Sequence, residues 1–436
     1  MRSLFFGGVH PAGRKELSSR SSPQPAPLPA QVVIPMAQHI GAPCAPLVQP
    51  GDSVTMGQKI GDGPGLCVPV HASVSGTVTA VEPRRHTNGK DVLSVVIEND
   101  FLDTPARELE PHLVGSALTP DEIIAAIHDA GIVGMGGATF PTDIKALSSQ
   151  GKVDTLIANA CECEPYITAD DALLCTYPDQ VLRGMELLMR VLNPQRTVLA
   201  VEDNKAEAVS VLKKLFRDRT DIELMVLPTR YPQGAEKQLI YAVTKRQVPP
   251  GGLPSAVGCA VFNAATFASA YKAVYEGEPV TRRIVTITGE GVRTPQNLLV
   301  RIGTPFSEVI EAAGGLTEDI WKVVAGGPMM GMAQADLSAP VLKGTNAILC
   351  LSKAQNGEAP HPACIRCGKC VVACPMNLQP LYLFRYEAAG NWEQLKNFHV
   401  TDCIECGCCA YACPGKLPLV ERFRAAKQKL KEGTAS

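Results

Sequence analysis

Short hydrophobic runs and polar turns alternate along the first hundred residues of the chain. Between residues 31 and 100, runs rich in Val, Ile and Thr are separated by turns that contain Gly, Pro and Asp. β-Branched runs bounded by such turns are typical of strands in an all-β unit. We therefore predict a small β domain within residues 1–115. Its strands are expected at Val32–Ile34, Ser53–Thr55, Val68–Val70, Gly76–Val81 and Val92–Ile97.

At Thr119 the pattern changes to alternating helices and strands. Thr119 is a candidate N-cap, Pro120 stands at the first helical position, and Glu122 completes a capping box. From 150 to 245, strand-length apolar runs alternate with segments of helical periodicity, which predicts a largely parallel α/β sheet in residues 116–275. The expected strands are Val153–Asn159, Thr197–Glu202 and Ile222–Leu227, and the expected helices are Asp179–Leu192, Lys205–Arg217 and Glu236–Val243.

Two more domains complete a multidomain α/β and α+β chain. Residues 276–352 contain strand-like runs between glycine-rich turns, with one helix expected at Pro305–Ala313. Residues 353–436 are rich in cysteine and are expected to form mainly short helices, closed by a basic helix near Pro418–Glu432.

Composition excludes some classes of function. The 436 residues are 45% hydrophobic and only 5% aromatic, and 41 Lys and Arg face 43 Asp and Glu. This balance argues against a nucleic-acid-binding protein, which needs positive surface and stacking side chains. No apolar run reaches the ~18–20 residues that span a bilayer, and Gly7, Gly8 and Pro11 interrupt the start, where a signal peptide would be apolar. We expect a cytoplasmic location, which leaves a membrane-bound partner open.

Cysteine spacing gives the strongest chemical signal. Of the 16 cysteines, eight form two runs of Cys-x2-Cys-x2-Cys-x3-Cys-Pro, at 364–375 and 403–414. Cubane iron–sulfur clusters are held by such runs, in which the fourth cysteine binds the cluster of the other run. Zinc ribbons use Cys-x2-Cys pairs but do not need this doubled run of four. We therefore predict two [4Fe–4S] clusters. The predicted ligands are Cys364, Cys367, Cys370 and Cys413 for cluster 1, and Cys403, Cys406, Cys409 and Cys374 for cluster 2.

Three further cysteines are interpreted without a metal. Cys408 lies next to a predicted ligand and is interpreted as a bystander. Cys161 and Cys163 alternate with Glu162 and Glu164 at the end of a predicted strand, the place where ligands bind in α/β sheets. Without other ligands nearby in sequence, these two cysteines are interpreted as structural or pocket-lining.

A glycine-dense loop follows the first helix of the α/β domain, at residues 131–142. Glycines allow backbone N–H groups to approach a phosphate closely. The loop matches neither the dinucleotide Gly-x-Gly-x-x-Gly motif nor a Walker loop. A tight structural turn is therefore an equally good interpretation of this segment alone.

The order of the motifs resembles the flavin-binding subunit of respiratory complex I. They are Gly-x-Gly-Gly-Ala-x-Phe-Pro-Thr-x2-Lys from 134, Asn-x2-Glu-x-Glu-Pro from 159, Tyr-x2-Gly-x-Glu from 231 and Asn-x2-Thr from 263. The resemblance implies bound FMN with NADH stacked on it. It assigns Gly134, Gly136, Gly137, Lys145, Asn159, Glu162, Glu236, Asn263 and Thr266 to FMN, and Phe140 and Glu164 to NADH. Met135, Cys161 and Ala235 depart from that family's pattern and indicate a sister family.

From end to end the chain is similar to the C subunit of the Rnf ion-translocating electron-transport complex. The likeness is carried by Phe-Gly-Gly-Val-His-Pro from residue 6, by 34–43, 70–72, 162–170 and 231–237, and by Gly-Gly-Pro-Met-Met-Gly from 326. It implies four domains: a barrel-sandwich unit like that of lipoyl domains, the flavin domain, a soluble-ligand-binding β-grasp unit and a two-cluster ferredoxin-like module. Residues 61–70 lack the lysine that a lipoyl-type carrier modifies, so the first unit is expected to be unmodified.

The same resemblance implies a function. A peripheral subunit at the cytoplasmic face of the membrane would pass electrons between NADH, FMN and the two clusters, within an ion-translocating ferredoxin:NAD oxidoreductase. Its partners would be the other subunits of the complex, and ferredoxin would be reached through them. Neither the direction of electron flow nor the translocated ion follows from the sequence. A soluble cobalamin (corrin) reductase and a wiring module that has lost its flavin stay open as alternatives.

Overall fold

Two small antiparallel sheets form the N-terminal domain of the computed structural model, which describes residues 5–19, 21–106, 109–356 and 363–432. The strands are β1 (Gln24–Pro25), β2 (Gln31–Pro35), β3 (Ala45–Pro46), β4 (Ser53–Val54), β5 (Lys59–Asp62), β6 (Val70–His71), β7 (Gly76–Arg85) and β8 (Asp91–Asn99). One sheet has the order β2–β8–β7–β4 and the other β3–β5–β6. Ile34, Ile60 and Ile97 are fully buried in the core of this domain. All five predicted strands lie on or overlap these elements.

The α/β domain contains a parallel sheet, as predicted, and its strand order is β11–β10–β9–β12. Its elements are α1 (Pro120–Asp129), α2 (Thr142–Ser149), β9 (Thr155–Ala160), α3 (Ala169–Thr176), α4 (Pro178–Leu192), β10 (Arg196–Glu202), α5 (Ala206–Leu215), β11 (Glu223–Leu227), α6 (Glu236–Thr244), β12 (Cys259–Asn263) and α7 (Ala264–Tyr271). Along β9, Leu156 packs into one buried cluster and Ile157 into another, because successive side chains of a strand point to opposite faces.

The start of α1 confirms the capping prediction. The Glu122 N–H donates to Thr119 Oγ1 at 3.3 Å, and Glu122 Oε2 accepts from the Thr119 N–H at 2.7 Å. The helix therefore begins at Pro120, as its sequence indicates.

A mixed six-stranded sheet organises the third domain. Its further elements are β13 (Arg282–Thr288), β14 (Gln296–Arg301), α8 (Phe306–Ala312), β15 (Ile320–Ala325), β16 (Met332–Gln334), β17 (Ala347–Ser352) and α9 (Lys353–Asn356). The strand order is β1–β14–β13–β17–β15–β16. β1 comes from the N-terminal segment and pairs in parallel with β14, Gln24 opposite Leu298. Part of residues 1–115 thus belongs structurally to the third domain.

The C-terminal module consists of short helices around a small core. They are α10 (Lys369–Val372), α11 (Pro380–Ala388), α12 (Trp392–Asn397), α13 (Cys408–Ala412) and α14 (Leu419–Glu432). Leu383, Leu395, Val400 and Phe423 are buried between them. Within the described residues, no helix combines the length and the apolar character needed to cross a membrane.

Candidate functional site

Two asparagines mark the carboxyl edge of the parallel sheet. Asn159 on β9 and Asn263 on β12 are direct register partners. Asn159 Nδ2 donates to the Gly234 carbonyl oxygen at 2.8 Å, and Asn263 Oδ1 accepts from the Ala265 N–H at 2.9 Å, which caps α7. Motifs about a hundred residues apart therefore meet here, because neighbouring parallel strands end at the same edge.

The glycine loop closes beside this edge. The Gly134 N–H donates to the Phe140 carbonyl oxygen at 2.8 Å. A Cβ atom at Gly136 would lie 3.5 Å from Asn263 Cβ, and Gly137 has a φ of 108° with open space around it. In the described part of the chain, the exposed N–H groups of Gly136 and Gly137 find no acceptor. The loop thus offers free amides and clearance for a phosphate group.

A lysine lies on the helix that follows the loop. Lys145 Nζ is 2.6 Å from Glu236 Oε1 and 5.3 Å from the ring centroid of Phe262. Lys145 and Glu236 are both partly exposed, so a bound anion can reach the ammonium. Thr266 is fully buried, and its Oγ1 accepts from the Met135 N–H at 3.0 Å. Thr266 therefore stabilises the buried side of the loop through Met135, whereas the Lys145 ammonium is accessible to a ligand.

Two acidic side chains pack behind the asparagines. Glu162 Oε1 accepts from the Asp170 N–H at 2.8 Å, and Asp170 Oδ2 accepts from Asn263 Nδ2 at 2.7 Å. Burial, and then the charge of Glu162, raise the pKa of Asp170. Glu162 Oε2 is buried, lies 4.0 Å from Lys205 Nζ and has no hydrogen-bond partner among the described residues. The site therefore contains a buried polar atom that a bound ligand can satisfy.

Glu164 lies where three domains meet. Its Oε2 accepts from the Met329 N–H at 3.2 Å, and its Oε1 is 3.3 Å from the Tyr231 hydroxyl. That hydroxyl donates to the Cys406 carbonyl oxygen at 2.7 Å. Burial raises the pKa of Glu164 to about 7. The flavin domain thus contacts a predicted cluster ligand directly through Tyr231, and the assignment of Glu164 and Phe140 to NADH stays a prediction.

The eight cysteines of the two runs line two separate cavities. The first is lined by Cys364, Cys367, Cys370 and Cys413, and the second by Cys374, Cys403, Cys406 and Cys409. Each set takes three cysteines from one run and the fourth from the other, which is the crossed arrangement expected for two cubane clusters. Cys408 is fully buried and lies outside the lining of both cavities.

Comparison with known proteins identifies the domains. Four family models match: the RnfC barrel sandwich hybrid domain at 3–102, the Nuo51 FMN-binding domain at 127–272, the SLBB domain at 284–333 and a 4Fe-4S dicluster domain at 363–417. The C subunit of the Na(+)-translocating ferredoxin:NAD(+) oxidoreductase complex of Acetobacterium woodii is 45% identical over 428 residues, 98% of this chain and 97% of the relative. The chain belongs to the RnfC family.

Two further relatives also support membership of the RnfC family. The C subunit of the proton-translocating ferredoxin:NAD(+) oxidoreductase complex of Clostridium ljungdahlii is 42% identical, over 88% of this chain and 84% of the relative. The C subunit of the ion-translocating oxidoreductase complex of Serratia proteamaculans is 43% identical, over 98% of this chain but 61% of the relative. The chain therefore carries an FMN-binding domain and a [4Fe–4S] dicluster domain, as predicted, and the corrin-reductase alternative finds no support.

A solved structure shares the fold of most of this RnfC-family chain. It is the air-oxidised NAD+-reducing [NiFe]-hydrogenase, with a TM-score of 0.50 at 20% identity, over 70% of this chain and 62% of that chain. The likeness is one of fold alone.

Lys15 is a site residue that the sequence did not reveal. Its Nζ donates to the carbonyl oxygens of Glu162, Glu164 and Ile167 at 2.9, 2.8 and 2.5 Å. Burial, and then the charge of Lys205, lower the pKa of Lys15 to about 8. The ammonium fixes the acidic turn after β9. Its local sequence carries no signal for this role, because the partners are about 150 residues away.

Proposed function

We propose that this chain is the peripheral subunit that exchanges electrons with NADH in a membrane-bound, ion-translocating ferredoxin:NAD+ oxidoreductase, at the cytoplasmic face. Its relatives at 42–45% identity are named as the C subunits of such complexes. One contact carries the proposal: the Tyr231 hydroxyl of the flavin domain binds the Cys406 carbonyl oxygen of the cluster module at 2.7 Å. Electron transfer between a flavin and a cluster requires such proximity.

Different groups at the sheet edge are suited to bind the phosphate and the ring of the flavin. FMN held at this edge would supply the exchange between the two-electron chemistry of NADH and the one-electron chemistry of the clusters. The free amides of Gly136 and Gly137, with Lys145, suit the phosphate because they supply donors and a positive charge. Asn159, Asn263 and Glu162, with its unpartnered oxygen, suit the polar edge of the flavin ring.

The two cluster sites suggest the order of transfer. Cys406 and Cys408 pack in one buried group with Val9 and Tyr231, so cluster 2 lies against the flavin domain. Cys364 and Cys367 of cluster 1 are exposed. We therefore assign the order flavin, cluster 2, cluster 1 and then a partner protein of the complex, or the reverse when ferredoxin supplies the electrons.

Exposed apolar side chains beside cluster 1 support the assignment of this cluster as the one that exchanges electrons with a partner protein. Ile365 and Val372 are 70% and 71% exposed. Apolar residues that flank an exposed redox centre favour a docked protein partner over open solvent. We assign this surface to another subunit of the complex, through which ferredoxin is reached.

Anaerobic titration of the cluster-loaded chain with NADH tests the proposal. Flavin absorbance should bleach first, and the EPR signals of reduced clusters should follow. Lys145→Met should lower FMN retention at least about tenfold, since a charge-assisted phosphate contact is lost, while Lys152→Met just beyond α2 should not. A chain that holds about eight irons but neither retains FMN nor is reduced by NADH would refute the enzymatic proposal.

A further inference from the structure

A second group of sulfur and nitrogen ligands lies in the N-terminal domain, apart from the cysteine runs. His39, Cys44 and Cys67 place one ligand atom each within 4.8 Å of one another. Cys44 Sγ is 3.2 Å from Cys67 Sγ and 3.8 Å from His39 Nε2. Both thiols are buried, and the imidazole is half-buried.

These separations are close to those of ligands on one metal ion. Zinc binds thiolate sulfur at ~2.3 Å and imidazole nitrogen at ~2.0–2.1 Å, which in a tetrahedron places two sulfurs about 3.8 Å apart and sulfur and nitrogen about 3.6 Å apart. The observed S–S distance of 3.2 Å is about 0.6 Å shorter than in this tetrahedron, and the observed S–N distance of 3.8 Å is about 0.2 Å longer. A disulfide would require the two sulfurs to approach by about 1 Å more.

Backbone contacts hold the two ligand-bearing loops together. The Ala42 N–H donates to the Leu66 carbonyl oxygen at 3.1 Å. Gly41 has a φ of 138°, and a Cβ atom there would overlap the same carbonyl. The loops before Cys44 and Cys67 are therefore in direct backbone contact without a disulfide. The three ligand atoms thus lie close together before any ion binds.

The His39 ring is oriented towards the thiols. Its Nε2 lies 3.8 Å from Cys44 Sγ and accepts from the Val68 N–H at 3.2 Å, so a metal ion at this nitrogen would take over the lone pair that Val68 now shares. Its Nδ1 is buried and has no hydrogen-bond partner among the residues that the structure describes. The polar atoms of this imidazole are thus not fully satisfied by the protein.

We propose that His39, Cys44 and Cys67 bind one zinc ion, with water in the fourth position. Sulfur and imidazole are ligands that zinc prefers, and two thiolates balance the charge of the ion. The Ile40 N–H next to His39 donates to the Thr139 carbonyl oxygen of the glycine loop at 3.2 Å. The ion therefore orders the loop that supports the proposed phosphate site.

Metal analysis of the full-length, cluster-loaded protein, purified without oxygen, tests the site. One zinc per chain is expected beside about eight irons. Zinc-edge X-ray absorption should show two sulfurs at ~2.3 Å and lighter atoms at ~2.0–2.1 Å. Cys44→Ser/Cys67→Ser should lose the zinc and keep the iron, whereas Cys259→Ser/Cys350→Ser, also buried, should keep both. His39→Ala, a milder change, should weaken zinc binding at least about tenfold.

Three outcomes would overturn the zinc site. The first is a full iron content with no zinc, and the second is a chain mass lowered by a Cys44–Cys67 disulfide. The third is zinc bound by four sulfurs, which would place it in misloaded cluster sites. None of these results depends on FMN or NADH, so failure of this site is distinct from failure of the proposed electron-transfer function.

Discussion

The two cluster sites have the same local backbone. Arg366 and Glu405, each between the first and second cysteine of a run, have φ values of 58° and 57°. Gly368 and Gly407, each after the second cysteine, have φ values of 73° and 79°. Equal spacing thus gives equal loops, because three thiols must converge on one cluster within seven residues.

Their surroundings differ. At cluster 1, Ile365 is exposed, and a Cβ atom at Gly368 would meet nothing within 4 Å. At cluster 2, Ile404 is partly buried, and a Cβ atom at Gly407 would lie 2.8 Å from the Met329 carbonyl oxygen. The motif therefore determines the loop that suits a cluster, whereas the neighbouring domains determine whether this loop is exposed or buried.

The last helix, α14, makes charged contacts with the loop of cluster 2. Glu405 accepts from Arg424 at 2.9 Å and from Lys427 at 2.5 Å, and Lys427 also donates to the Cys403 carbonyl oxygen at 3.0 Å. Arg424 and Lys427 of α14 thus hold the loop of cluster 2.

Replacement of the fourth cysteines tests the comparison most strongly. If ligation is crossed, Cys413→Ser should lose cluster 1 and give the same residual EPR spectrum as Cys364→Ser. Cys374→Ser should lose cluster 2 and match Cys403→Ser. Each variant should lose about four irons per chain. A Cys413→Ser spectrum that matches Cys403→Ser would show uncrossed ligation.

Alanine at the paired glycines separates local strain from domain contact. The positive φ of each glycine should by itself lower the free energy of unfolding of the alanine variant by about 1 kcal/mol. Gly407→Ala should cost more, because its Cβ meets Met329, and should slow the transfer of electrons from flavin to cluster 2. Stopped-flow reduction by NADH, with Gly368→Ala as the control, measures this. Equal rates in the two variants would argue against tight docking at cluster 2.

Tyr231→Phe removes one hydroxyl from the contact between flavin domain and cluster. Loss of its hydrogen bond to Cys406 should weaken docking by about 1 kcal/mol and slow cluster reduction several-fold. FMN content and flavin reduction should not change. Tyr411→Phe, an exposed tyrosine of the cluster module, is the matched control. Normal cluster reduction in Tyr231→Phe would place the electron path elsewhere.

The smallest effect is expected from pH at Glu164. Its pKa is raised from 4.5 to about 7 by burial, so the carboxyl changes from neutral to negative around neutral pH. Negative charge near Cys406 disfavours an added electron, so the potential of cluster 2 should fall by tens of millivolts as pH rises through 7. The free energy of unfolding should also fall as pH rises from about 4.5 to 7. In this range the Glu164 carboxyl is ionised in the unfolded chain but still protonated in the folded protein.

Glu164→Gln should remove both pH effects, and redox titration at several pH values checks this. The potential of cluster 1 in the same protein is the internal control. A cluster 2 potential that keeps its pH dependence in Glu164→Gln would exclude this carboxyl as the cause.

Elements with strong local signals were predicted well. The helix after Thr119 and the helix Asp179–Leu192 agree with α1 and α4 within a residue at their starts, because caps and periodicity are local. β12 and α7 were not predicted, since α7 begins directly after Asn263 and no turn residues separate the two elements. The two-residue strand β1 was also missed, because it depends on pairing with β14 far along the chain.

The sequence alone determined the chemistry: two sets of four cysteines, a glycine loop and the ordered flavin motifs. Such signals can be recognised because three of the four ligands of each cluster, and the amides of a phosphate loop, lie a few positions apart in the sequence. Only the tertiary structure placed Lys15 under the acidic turn, Tyr231 against Cys406, and His39 beside Cys44 and Cys67. Lys15 and Tyr231 meet partners far away in the chain, and the loops of Cys44 and Cys67 meet through the hydrogen bond between Ala42 and Leu66. Packing decides such contacts, and no local pattern records them.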